Sequence, residues 1–300
     1  MTSIIELYGV STAMTDENWA SIISSEHCPY LKRKCIKVRK SNPNITIGTC
    51  TVLYGKEHKD IIICPHRLLE RRQIFIDCLH LLTNNEPGNE LHIIPEVGIP
   101  GGNVDYFLVA TRHGRVRDFV GIELQTLDST GTVWPHRQKL LRENGIAVDE
   151  SEEEETEEAL VLEDSLYIKP KGKKKGFGMN WKMTAKTILM QLHHKVQTFE
   201  HINKHLVMAI QDHFYNYISR EFRFDHVGEA KLGDSMHLHI YNLTKTEAAS
   251  LRIEFASRYS TDANGIAESL GMQAEARLEL EEVIRVLESK ISSETVFTLQ

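Results

Sequence analysis

The sequence predicts an α/β fold in which a mixed β-sheet is flanked by helices, with a small cysteine-rich module at the N-terminal end. Three observations carry this. Short apolar runs with strand character recur at residues 91–97, 104–110 and 116–126, and again at 236–241 and 251–255. Helical periodicity fills the spans 67–84, 184–220 and 267–290. Four of the five cysteines fall within residues 28–64, a stretch rich in Lys, Gly and Pro that needs help to fold. With 300 residues, 41% hydrophobic, the chain is long enough for one elaborated core beside that module. The expected division is 1–66 for an opening helix and the cysteine module, and 67–300 for the sheet and its helices.

The elements follow in order. Residues 1–27 read as an amphipathic helical start, and the loop-rich module after them carries strand-like runs at 51–54 and 61–63. From 67 to 84, Leu68, Leu69, Ile74, Phe75, Cys78, Leu79 and Leu82 fit a helix. The runs 104–110 and 116–126 flank the turn-like Thr111, Arg112, His113 and Gly114, which makes them a hairpin. Residues 149–164 read as an exposed acidic insertion, and 171–175 as a basic loop. The span 184–220 reads as long helices, and 267–290 as an amphipathic helix with carboxylates on its wet side.

The formal net charge of −7 argues against a nucleic-acid partner only until the acids are located. Residues 149–164 hold ten carboxylates and no Lys or Arg, so setting them aside takes the charge from −7 to +3. Basic clusters stand at Lys32, Arg33 and Lys34, at Lys37, Arg39 and Lys40, and at Arg67, Arg71 and Arg72; a solvated face explains any one of them as readily as a partner does. No apolar run approaches the length that spans a bilayer, and the N-terminus lacks the order of a signal peptide, so the expectation is a cytoplasmic protein with no membrane partner.

Cys28, Cys35, Cys50 and Cys64 lie together in the loop-rich module. Four thiolates enclose a tetrahedral ion, and the ion then supplies folding free energy that so polar a segment cannot draw from a core. Their spacing departs from paired CxxC knuckles, and four separate buried thiols are the alternative. A four-sulfur site suits zinc or iron. Cys78 stands at helical spacing in an apolar pattern and reads as a core thiol.

The chemistry-bearing cluster is Glu96, Asp105, Glu123 and Gln125. Along residues 120–126, Ile122 and Leu124 point to one face of the strand and Glu123 and Gln125 to the other. Asp105 begins the preceding strand of the hairpin, from which it can approach Glu123. Two carboxylates on adjacent strands can hold Mg²⁺, which polarises a phosphodiester and activates a bound water. This arrangement resembles the PD-(D/E)xK nuclease motif, with Gln125 where Lys usually stands. Pro95, Pro100, Gly101 and Gly102 crowd the same region.

A wider resemblance then enters. Cys28-Pro29, Cys35, Gly48-Thr49-Cys50, residues 63–67 (ICPHR), 70–75 (ERRQIF), 95–102 (PEVGIPGG), 104–107 (VDYF), 121–126 (GIELQT), 131–135 (GTVWP) and 180–186 (NWKMTAK) together resemble the NotI-type family of type II restriction endonucleases. The resemblance implies a PD-(D/E)xK core, a structural iron (with zinc as the alternative) held by Cys28, Cys35, Cys50 and Cys64, and a bacterial homodimer that cuts both strands of double-stranded DNA. It implies Asp105 and Glu123 as Mg²⁺ ligands, Gln125 in the lysine position and Glu96 as an accessory acid. An amide is neither cation nor base, so Gln125 is expected to position water. The implied target is a GC-rich palindrome such as CGGCCG, since palindromic DNA suits a two-fold dimer.

Lys182, Lys186, His193, His194 and Lys195 are candidate phosphate contacts on one helix, with a solvated face as the alternative. Trp134 and Trp181 are expected to be buried, and His237 and His239, on one strand face without a third ligand, to be ordinary histidines. Two competing functions remain: a non-catalytic nucleic-acid-binding metal module, in which Asp105, Glu123 and Gln125 are dispensable, and a repair nuclease of the same core that cuts without sequence specificity.

Overall fold

The computed structural model describes residues 3–14, 17–39, 42–147 and 177–271. The chain opens with β1 (Ile4–Leu7) and β2 (Val10–Ser11), then α1 (Trp19–Ser25), β3 (His27–Cys28), β4 (Arg33–Lys34), β5 (Thr49–Tyr54) and β6 (Lys59–Ile62). After a 3₁₀ segment, Pro65–Arg72, come α2 (Gln73–Asp77), β7 (Glu90–Ile99), β8 (Gly102–Arg112), β9 (Arg115–Gln125), β10 (Ser129–Thr130) and α3 (Trp134–Glu143). The remaining elements are β11 (Gly178–Met179), α4 (Trp181–His201), β12 (His205–Gln211), α5 (Asp212–Glu221), β13 (Gly228–Glu229), β14 (Met236–Lys245), β15 (Leu251–Thr261) and α6 (Ala263–Ser269).

The fold is mixed α/β, built on a seven-stranded sheet in the order β13-β15-β14-β12-β9-β8-β7. β7, β8 and β9 form an antiparallel meander, β12 runs parallel to both β9 and β14, and β15 returns antiparallel to β14. Pro95 lies in β7, the edge strand, where a missing N–H costs no ladder bond. Strand alternation sends Leu206, Met208 and Ile210 of β12 into the apolar cluster shared with Ile188, Leu192 and Val196 of α4. Val207 and Ala209 enter a second cluster with Ile74, Phe75, Leu81 and Ile122 on the other face. The sheet is thus covered on both sides.

A four-stranded sheet, β2-β1-β5-β6, stands beside the large one. Gln211, the last residue of β12, joins them: its Oε1 accepts from the Ile62 amide at 2.9 Å and its Nε2 donates to the Asp60 carbonyl at 2.6 Å. Ile4, Val52 and Ile61 share one apolar cluster with the helices of the large sheet.

Three expectations are corrected. The opening is not one helix: Ile4–Leu7 pair with β5, and among the described residues up to 27 the helix is α1 at Trp19–Ser25. Four alternating residues are too few to show a helical stripe, and pairing with β5 decides their conformation. Residues 67–84 are not one helix either. Glu70 is extended and Arg71 and Arg72 take φ of 53° and 58°, which breaks the pattern. The cause is Glu70 itself, whose Oε2 accepts from Arg67 Nη1 at 2.8 Å and from the Ile253 amide at 2.7 Å, pulling the chain toward β15. Finally, the span 184–220 contains β12 between α4 and α5. A parallel strand buried on both faces shows no polar alternation, so Leu206 to Ile210 continues the apolar pattern of the helix before it. The acidic span 149–164, the basic loop 171–175 and most of 267–290 lie outside the described residues.

Candidate active site and cysteine cluster

The three predicted carboxylates come from three neighbouring strands. β7 and β8 pair Pro95 with Tyr106 and Val97 with Val104, which sets Glu96 across from Asp105. β8 and β9 pair Tyr106 with Ile122, and one step further along the same register stand Asp105 and Glu123. Glu96, Asp105 and Glu123 therefore lie in one row across the meander. Glu96 is exposed and holds φ 51°, a left-handed conformation rare inside a strand and of the kind stored at functional sites. Asp105 is half-buried, and its Oδ2 accepts from the Leu124 amide at 2.8 Å, which fixes the carboxylate against β9.

The face of β9 that carries Glu123 is covered: Glu123 is 5% exposed beneath α4. A carboxylate so placed needs a partner. Lys195 of α4 supplies it, its Nζ 2.7 Å from Glu123 Oε1 and its side chain equally buried. Burial pushes the Glu123 carboxyl up to about 7, helped by the nearby Asp105 charge, and the Lys195 ammonium opposes the rise. Gln125, on the same face of β9, turns its Nε2 onto the Thr126 carbonyl at 2.7 Å.

The loop between β7 and β8 clamps α4 at this point. Thr198 Oγ1 donates to the Pro100 carbonyl at 2.7 Å. Gly101 and Gly102 have φ of 100° and 130°; a Cβ on Gly101 would stand 3.0 Å from the His194 carbonyl group, and one on Gly102 3.3 Å from Lys195 Cε. The glycines are required both by backbone conformation and by the close approach of the helix.

Cys28, Cys35, Cys50 and Cys64 all line one small cavity of about 10 Å³, and Cys78 does not. Cys50 Sγ lies 3.5 Å from the Gly48 carbonyl, and nearby backbone N–H groups, of Leu31 and Tyr30 for Cys28, Gly9 for Cys50 and His66 for Cys64, favour the charged sulfur. Burial pushes these three thiols up and the N–H groups pull them back toward the thiolate. Four thiols lining one small cavity are the donor type a four-sulfur site would use. Among the described residues, however, no group of three or more His, Cys, Asp or Glu side chains is placed so that it could hold a metal ion. Cys78 is buried in the second apolar cluster, its Sγ 3.8 Å from His239 Nδ1.

The module borders the carboxylate row. His66, next to Cys64, is held low chiefly by burial, and the charges of Asp105 and Glu96 oppose this; Arg33 lies within the same electrostatic reach of His66 and of Tyr106. No family model matches the chain, and no curated protein matches it either.

Among the helix candidates, Lys182, Lys186 and His194 face water, whereas His193 and Lys195 point inward. Lys195 as the partner of Glu123 is what the sequence reading missed. The signal was present: Ile188, Leu192, Lys195 and Phe199 recur at helical spacing, and a lysine on an apolar stripe calls for a buried acid. Trp134 is buried with the guanidinium groups of Arg39 and Arg137 over its ring, at 4.8 and 4.6 Å, whereas Trp181, expected to be buried, is only half-buried against Tyr217 because it opens α4 at the rim of the core. His237 and His239 are both core residues, and burial holds them down to about 4 and about 3. No helix among the described residues is long and apolar enough to cross a membrane.

Proposed function

We propose that this protein is a Mg²⁺-dependent endonuclease of the type II restriction class, hydrolysing phosphodiester bonds in both strands of double-stranded DNA at a GC-rich palindrome. The observation that carries the reading is the row of Glu96, Asp105 and Glu123 across three adjacent strands, with the helix-borne Lys195 against Glu123. Its setting is compatible: the row stands on a mixed sheet covered by helices, as the nuclease reading expects.

The donor set fits a hard divalent cation. Asp105 Oδ1 and Glu123 Oε2 have no hydrogen-bond partner among the described residues, and Mg²⁺ commonly takes one or two protein carboxylates and completes its shell with waters and substrate phosphate. Mg²⁺ there would polarise the scissile phosphate and lower the pKa of water. The chain's own residues do the rest. The Leu124 amide fixes Asp105, the Pro100–Gly102 turn holds α4 on the carboxylates, and Gln125, on the same face of β9 as Glu123, keeps an amide oxygen that could accept from a water while its nitrogen is held by the Thr126 carbonyl. Cys28, Cys35, Cys50 and Cys64 would hold a structural iron or zinc, bracing a basic module that carries Arg33 and Lys37 beside the site. Two copies related by a two-fold axis would present one such site to each strand of a palindrome.

The test is incubation of the purified protein with long unmethylated GC-rich DNA, with and without Mg²⁺, beside Glu123→Ala. Discrete fragments that require Mg²⁺ and vanish in the variant are expected. A smear would replace site specificity with indiscriminate cutting, and tight binding with no cutting under any condition would leave a binding module.

A further inference from the structure

Three strands bring carboxylates to the site and none brings a positive charge. Gln125, two residues beyond Glu123 on the same face, carries a neutral amide that is turned onto the Thr126 carbonyl. The charge arrives from the helix instead. Lys182 and Lys186 of α4 stand in water, as lysines do, but Lys195 lies 7% exposed with its ammonium on Glu123 Oε1. Burying an ammonium is costly even when it is paired, and hydrophobic replacements of buried ion pairs are commonly tolerated, so stability alone is a weak reason for this lysine. Its surroundings are also built for it: the Gly102 backbone passes so close to Lys195 Cε that a Cβ would stand 3.3 Å away, and Thr198 ties the same turn to the helix one turn further on.

Resting on the nuclease reading, we propose that Lys195 is a catalytic residue of the hydrolysis, the cation that the strand lacks at Gln125 being delivered by α4. In the reaction the water oxygen bonds to phosphorus as the P–O3′ bond breaks. The water gives one proton to solvent and the departing O3′ takes one. Lys195 keeps its protons and donates hydrogen bonds to the attacking water and a non-bridging phosphate oxygen, where negative charge grows in the transition state.

The experiment compares wild type, Lys195→Met and the double variant Lys195→Met/Gln125→Lys, all as the full chain. Cleavage is followed in single turnover, DNA affinity is measured without metal, and Mg²⁺ affinity is measured by calorimetry. Lys195→Met is expected to cut about 100-fold slower or worse, to bind DNA within about threefold of wild type, since it loses one contact of many, and to bind Mg²⁺ at least as tightly, because ammonium and ion compete for Glu123. Gln125→Lys in that background is expected to restore at least about tenfold of the rate by returning the ammonium to the same carboxylate. Cutting by Lys195→Met at the wild-type rate overturns the proposal and leaves the nuclease reading intact. Mg²⁺ binding weakened about tenfold or more also overturns it, marking Lys195 as a support for the carboxylates. Should Lys195→Met not fold, the double variant alone carries the test: if it folds and binds DNA, cutting supports the proposal and failure to cut overturns it. Wild-type protein that cuts no DNA at all defeats the nuclease reading, and this role with it.

Discussion

Arg67 and Glu6 form an ion pair closed to water, Nε to Oε2 at 2.7 Å with side chains 0% and 1% exposed. The pair joins four parts of the chain. Arg67 Nη2 donates to the Leu251 carbonyl on β15, Nη1 reaches Glu70, Thr51 Oγ1 of β5 donates to Glu6, and Tyr30 of the cysteine module donates to Glu6 while its ring lies under the guanidinium. Arg67→Met leaves the Glu6 carboxylate buried without its cation and is expected to lower stability by about 3–5 kcal/mol. Adding Glu6→Gln to the same chain should recover much of that loss. Denaturant unfolding of the single and double variants measures both; a single-variant loss below about 1 kcal/mol would make the pair no stronger than a surface contact.

The Glu123 carboxyl, raised from its ordinary value to about 7 by burial, gives the site a pH dependence with a definite sign. An acid raised in the fold contributes stability that is fully present below its unfolded value and is lost as pH climbs through about 7, a loss of at most about 3 kcal/mol. Cation binding needs the ionised form. Mg²⁺ affinity is therefore expected to rise as pH climbs toward about 7 and to level off above it. Calorimetric titrations with Mg²⁺ from acid to mildly alkaline pH check this, and a profile flat throughout would show that Glu123 is ionised at every pH tested.

The cysteines separate into four and one. Changing Cys28, Cys35, Cys50 or Cys64 to Ser is expected to reduce bound transition metal well below about one ion per chain and to destabilise the module, whereas Cys78→Ala should leave metal content unchanged. Elemental analysis of each purified variant is the measurement. Full metal content in any of the four Ser variants would remove that residue from the ligand set.

Gly101→Ala tests the turn. Its backbone sits at φ 100° and the new methyl would press on the His194 carbonyl group at 3.0 Å, so a loss of about 1–3 kcal/mol is expected, with α4 pushed off the carboxylate row. Cutting should fall further than DNA affinity does. Equal falls in both would place the turn in binding rather than in alignment of the site.

Much of the sheet was legible because β7, β8, β9, β14 and β15 announce themselves by short apolar runs bounded by turns, and Asp105 and Glu123 could be placed opposite one another from the hairpin alone. β12 was not legible, since burial on both faces removes the alternation by which a strand differs from a helix. Nor was the break at Glu70, because its cause is Ile253, far along the chain. The same holds for the site. The carboxylates are local and could be read from their strands, whereas the Lys195–Glu123 contact spans 72 residues and needed the helix to be laid across the sheet. A strand pattern does not reveal what covers its polar face, so the burial of Glu123 beneath α4 was equally out of reach.

The place of β12 in the sheet bears on how the molecule assembles. β7, β8 and β9 are consecutive in the chain and zip by short hairpin closures, as do β14 and β15; within the sheet the two halves are joined by β12, where Val120 pairs with His205. Ladders between such distant residues are slow to form, because a long loop must be closed before any contact rewards it. Glu123 belongs to the quick half, and Lys195 to the helix that leads into the late strand. A chain that has made its hairpins and not its central ladder thus carries three neighbouring acids without the Lys195 ammonium against them, and joining the halves relieves part of their mutual repulsion. The buried ion pair in this sense reports the joining of the meander to the helix that follows it, because it forms only when residues 72 apart in the chain are brought together.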